Sequence, residues 1–99
     1  MSYADHLRRH RRITILRTLE TAPEYAGNES LIGDMLDQFR VTSTRDQVRT
    51  ELHWLADQGF IAVESIGGFL VATITQEGLD IATGKRIHPD IEKPAPRKR

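Results

Sequence analysis

The sequence predicts an α+β fold in which three helices lead into a two-stranded hairpin and a short closing helix. Three observations point to that order. Val48, Leu52 and Leu55 recur at intervals of four and three residues, the spacing of a helix face that packs on a core. After Gly59 the apolar period shortens to two: Ile61 and Val63 share one face, and Leu70, Ala72 and Ile74 share another. Between these runs, Ser65-Ile66-Gly67-Gly68 is a turn whose paired glycines supply the positive φ angles of a tight hairpin.

Taken in order, the first helix spans Tyr3 to Thr21, with Leu7, Ile13, Ile15, Leu16 and Leu19 as its apolar side. Its first half holds Arg8, Arg9, Arg11 and Arg12 with His6 and His10, opposed only by Asp5. Such a cluster suits either a phosphate backbone or a solvated surface whose arginine stems cover apolar neighbours. Pro23 and Gly27 then break the helix. Asn28 or Ser30 caps a second helix reaching about Phe39, and Leu31, Ile32, Met35, Leu36 and Phe39 are expected to be buried. Glu29, Asp34 and Asp37 are expected on an acidic outer face, Glu29 also suiting the positive end of the helix dipole. Phosphates would repel that face.

A connection of about four residues leads to the third helix, 44–58, where Thr44 and Gln47 fit a capping box, with Ser43 the alternative cap, and Gly59 stops the helix. Phe60, Phe69 and Val71 add apolar bulk to the other hairpin side, which the first helix, the tail or a second subunit should cover. Thr75 caps a last helix, Gln76 to about Thr83, with Leu79 and Ala82 inward and Gly78 permitting close approach to the sheet. Residues 1–86 thus form one domain. Residues 87–99, with Pro89, Pro94 and Pro96 and the ending Arg97-Lys98-Arg99, read as a flexible basic tail.

Composition narrows the function. The chain is 38% hydrophobic and 28% charged, an ordinary globular balance. The absence of cysteine excludes disulfides and thiolate metal sites and suits a cytoplasmic setting. No apolar run has the ~20 residues of a membrane-spanning helix. Fourteen basic and fourteen acidic residues cancel, which argues against strong nonspecific binding to nucleic acid. His6 and His10 stand four apart, yet only Asp5 or the distant His53 and His88 could complete a metal site, so a solvent-facing pair is expected and no metal or cofactor. No nucleophile–base arrangement or phosphate-cradling loop occurs, so the chain does not read as an enzyme.

Three pieces resemble the winged-helix superfamily over about residues 3 to 86. They are Leu52-x-x-Leu55-x-x-x-Gly59-Phe60-Ile61, the run Val63 to Val71, and Ile74-Thr75-x-x-Gly78-Leu79-x-x-Ala82. The resemblance implies a winged helix-turn-helix with the hairpin as wing. More narrowly, Met1-Ser2-Tyr3-Ala4-Asp5, Arg11-Arg12-Ile13-x-Ile15-Leu16-Arg17, Asn28-Glu29-Ser30-Leu31 and Trp54-Leu55-Ala56-Asp57-Gln58-Gly59 are similar to small proteins of Mu-like phages and prophages, themselves similar to ArsR-type regulators. Metal-sensing cysteine motifs of those regulators are absent here, which argues against metal-responsive repression.

The resemblance implies a phage or prophage transcriptional regulator that reads double-stranded DNA with its third helix, in the bacterial cytoplasm. Arg45 and Arg49 are the first candidates for base edges or phosphates, with Thr44, Gln47, Thr50 and His53 beside them and Arg8 and Arg12 on the first helix. Alternatively, the two arginines pair with Asp46, Glu51 or Asp57 on the surface. The wing tip Glu64 to Phe69 has one acid and neither Arg nor Lys, which disfavours a minor-groove role for it. Trp54 reads as a flank of the core or a subunit contact. A homodimer would fit, and the competing function is a protein–protein module that binds a phage or host protein and no DNA.

Overall fold

A computed structural model describes residues 1–96. The first helix, α1 (Tyr3–Thr21), starts at a capping box in which Ser2 and Asp5 satisfy each other's backbone N–H groups. Pro23–Tyr25 forms a single 3-10 turn, and Ala26–Asn28 forms a short strand, β1. Helix α2 (Glu29–Gln38) is capped by Asn28, whose side chain accepts from the Leu31 N–H at 2.8 Å. Helix α3 (Arg45–Asp57) has the Thr44–Gln47 capping box expected of it. It ends in a Schellman motif, the Phe60 N–H donating to Leu55 and the Gly59 N–H to Ala56.

Strands β2 (Ile61–Ile66) and β3 (Phe69–Ile74) pair antiparallel from Ile61 opposite Ile74 to Ile66 opposite Phe69. Only Gly67 and Gly68 remain for the turn, with φ of 57° and 84°. These values match the mirror-image turn that follows the right-handed twist of the strands. Strand β1 adds a third member to the sheet, order β1-β3-β2, pairing Ala26 with Thr73 and Asn28 with Val71. The sequence itself marks only a break there, because a three-residue strand shows no alternation of its own. Helix α4 (Gln76–Ala82) closes the fold, capped by Thr75. Gly78 lets it lie directly on the chain entering β2, where a Cβ would overlap the Phe60 carbonyl and stand 2.7 Å from Ile74 Cγ1.

The core lies between the helices and the inner sheet face. Ile15, Leu16 and Leu19 of α1 meet Ile32 and Leu36 of α2, Leu52 and Leu55 of α3, and Ala72 of β3, all 0% exposed. Two expectations need correction. In α2 the inward stripe is Glu29, Ile32 and Leu36, at intervals of three and four. Leu31 stands one position off it and is 48% exposed; Phe39 is the C-cap, beyond the last helical turn, and is 61% exposed. Met35 is half-buried. Glu29 is therefore a buried residue and not part of an acidic outer face.

The second correction concerns residues 87–96, which pack along α1. Ile91 is 2% exposed within the core. The Glu92 N–H donates to the Arg9 carbonyl, Arg12 donates to the Asp90 carbonyl and Arg17 to that of Ala95. The His88 ring meets Trp54 and Phe60 edge-on, at 5.4 and 5.7 Å between centroids, so the tail helps cover Phe60. One buried isoleucine outweighs the local bias of three prolines. Ile91→Ala is expected to cost about 2 kcal/mol in urea unfolding, whereas a loose tail would give no change. The basic residues 97–99 lie outside the described residues.

Candidate nucleic-acid interface

The periodicity of α3 fixes which side chains reach solvent. Val48, Glu51, Leu52 and Leu55 face inward. Asp46, Thr50, His53 and Asp57, spaced four, three and four apart, form the outward stripe, with Gln47 at its edge. Thr44 is committed to the cap, and the Gln47 side chain accepts from its N–H at 2.9 Å. Thr50 and His53 are exposed.

Arg45 and Arg49 occupy the flank between this stripe and the start of α2. Four residues apart, they converge on Glu29. Arg45 Nε donates to Glu29 Oε1 at 2.7 Å. Arg49 grips both oxygens, Nε to Oε1 at 2.8 Å and Nη2 to Oε2 at 2.9 Å. The Leu70 N–H donates to Oε2 at 2.6 Å, so a buried carboxylate of α2 accepts from one helix, α3, and one strand, β3. Both guanidinium groups also donate through Nη2 to the Gly68 carbonyl in the wing turn, at 3.3 Å from Arg45 and 3.0 Å from Arg49. The wing is thereby tied to the first turns of α3.

Electrostatics follow from this geometry. The Arg49 hydrogen bonds, then the Leu70 N–H and Arg45, outweigh the cost of burial and hold the Glu29 carboxyl at about 2. Glu29 in turn raises the Arg49 guanidinium above its ordinary value. Two cations and one anion leave a net positive site. The Glu29 side chain is 2% exposed, while Arg45 and Arg49 keep 60% and 35% of their side chains in solvent. Their partner is thus Glu29, and not the exposed Asp46 and Asp57 or the buried Glu51.

The first-helix arginines are placed differently. Arg12 is buried, with Nε donating to Glu51 Oε1 at 2.8 Å and its guanidinium 3.7 Å from the Trp54 ring centroid. Arg11 Nε donates to Ser43 Oγ at 2.6 Å. Arg8 binds Asp5 at 2.9 Å and lies 3.9 Å from Glu51. This cluster fastens α1 to α3 and to the tail, and Arg12 in particular presents no surface to a phosphate. His6 and His10 are exposed, His10 standing 3.7 Å from Glu92. Among the described residues, no group of three or more His, Asp or Glu could hold a metal ion. The wing tip shows Ile66 and Phe69 to solvent, 55% and 46% exposed.

No family model matches the chain. Over 93 residues it is 40% identical to the uncharacterized protein gp26 of Escherichia phage Mu, covering 94% of this chain and 96% of that one. The chain belongs to the phage Mu gp26 family. An uncharacterized protein of Haemophilus influenzae is also 40% identical, over 84 residues that cover 84% of the gp26-family chain described here and 81% of the relative. Among solved structures, a MarR family transcriptional regulator from Streptomyces coelicolor superposes with a TM-score of 0.62 at 23% identity. The match covers 74% of the gp26-family chain and 48% of the regulator, so this chain spans about half of that protein. The fold is a winged helix. Among the described residues, no helix is long and apolar enough to cross a membrane.

Proposed function

We propose that this gp26-family protein binds double-stranded DNA through α3, as a phage or prophage transcriptional regulator acting in the bacterial cytoplasm. One observation supports this reading above others: Arg45 and Arg49 stand side by side at the start of α3, immobilised yet solvent-facing. An arginine held through Nε and one Nη keeps N–H groups for base edges or phosphates. Thr50 and His53 on the outward stripe, with Gln47 and Thr44 at the cap, are the neighbouring polar groups. Arg8 is a peripheral phosphate contact at most, because Asp5 already binds it, and buried Arg12 has a structural role. Two copies on DNA would set their α3 helices in successive major grooves.

Neutral overall charge makes the salt dependence a direct test. A fluorescent duplex titrated between low and moderate salt is expected to show binding that weakens with salt. Arg45→Ala with Arg49→Ala is expected to reduce the log–log slope by about two. Sedimentation of the saturated complex is expected to give two chains per duplex. A folded protein that binds no duplex at low salt would overturn the proposal and leave the protein–protein module as the better reading.

A further inference from the structure

We infer that Glu29 is a positioning residue that presets the Arg45 guanidinium for a guanine edge, with Arg49 donating beside it through Nη1 alone. The inference rests on the DNA-binding reading above. Its basis is the convergence of Arg45 Nε, Arg49 Nε, Arg49 Nη2 and the Leu70 N–H on one buried carboxylate. A free arginine has several soft torsions and finds phosphates and bases alike. One held at Nε by a fixed acceptor has its guanidinium plane set before it meets DNA, and a planar fork with a set plane discriminates by geometry.

The carboxylate is itself fixed. It stands in the first turn of α2, is 3% exposed, and is tied to β3 through Leu70. The Gly68 carbonyl, accepting from Nη2 of both arginines, fixes each plane at a second point. What remains free is Nη1 of both arginines and one Nη2 hydrogen of Arg45; the two Nη2 hydrogens of Arg49 are taken up by Glu29 Oε2 and the Gly68 carbonyl, so only Arg45 keeps a two-nitrogen fork. Guanine is the base whose O6 and N7 accept together from arginine in the major groove. Glu29 also removes one positive charge from the site, so affinity for arbitrary DNA is traded for selectivity.

The test is selection from duplexes with a randomised 12-base-pair centre, with the parent chain and with Glu29→Asp. Aspartate keeps the charge and withdraws it by one methylene. The parent chain is expected to enrich a guanine at one fixed position. Glu29→Asp, checked for folding by circular dichroism, is expected to lose at least about tenfold of that preference while the salt slope on unselected duplex stays the same. A second measurement needs no variant: in the parent complex, the Nε–H resonances of Arg45 and Arg49 should keep their carboxylate-bound positions when the selected duplex is added. The inference is overturned if Glu29→Asp retains the preference, if the parent chain enriches a motif without a fixed guanine, or if the Arg45 Nε–H signal leaves its Glu29-bound position. Failure of the parent chain to bind any duplex at low salt would instead overturn the DNA-binding reading, and this inference with it.

Discussion

Glu29→Ala is expected to unfold about 3 kcal/mol more readily than the parent chain. That corresponds to a fall in Tm of roughly 15 °C for a domain of this size. The substitution leaves the Leu70 N–H buried without an acceptor and frees two guanidinium groups that are now held to one point. Because both arginines can be rehydrated, the loss falls at the lower end of what breaking a buried ion pair usually costs. Asp34→Ala, on the exposed side of the same helix, is the control and should change stability by less than about 0.5 kcal/mol.

The same residue sets an acid limb. Its carboxyl titrates at about 2 in the folded chain against an ordinary value of 4.5. A lowered folded value means that its contribution is complete above pH 4.5 and is lost as the pH falls toward 2. Urea midpoints measured across that window should fall with acid in the parent chain. In Glu29→Ala they should fall less, so the gap between the two proteins narrows. A gap that stays constant from pH 7 to pH 2 would show that the carboxylate charge plays no part in the clamp.

Gly78→Ala is expected to cost at least about 3 kcal/mol, or to prevent folding, with calorimetry as the measurement. The added methyl would overlap the Phe60 carbonyl oxygen, a backbone atom that cannot swing aside, and that oxygen also accepts from the Thr75 N–H. Gly33→Ala, likewise in a helix, is expected to act with the opposite sign. Nothing lies within 4 Å of the added carbon there, so alanine should stabilise by up to about 1 kcal/mol through helix propensity alone. A similar response at both glycines would refute the close-approach argument.

Local chemistry was legible in the sequence wherever one short segment contained all its partners. The span of α1, the Thr44–Gln47 box, the stop at Gly59 and the Gly67-Gly68 turn are all of this kind. What escaped were residues whose partners lie far along the chain. Glu29 looked like a dipole partner at a helix start, because its ligands are 16, 20 and 41 residues away. The same holds for Ile91, alone among prolines and charges. A signal did exist for the buried acids. Glu51 falls in step with Val48, Leu52 and Leu55, and Glu29 with Ile32 and Leu36, so each sits at an apolar position of its own helix. A carboxylate there has to find an arginine, and the arginines it finds are those that seemed free to meet DNA.

Arg12 links the order of synthesis to the order of folding. Its Nε partner Glu51 is 39 residues downstream, and its Nη1 partner, the Asp90 carbonyl, is 78 downstream. At translation rates of about 5–20 residues per second, Asp90 follows Arg12 into the chain roughly 4 to 16 s later. During that interval α1 has its helical hydrogen bonds but not the segment that covers its outer flank. Trp54 and Phe60 lack the His88 ring until that segment has been made. Docking of residues 88–95 can only follow their synthesis, and an insertion between Gly84 and His88 would hinder it without touching α3.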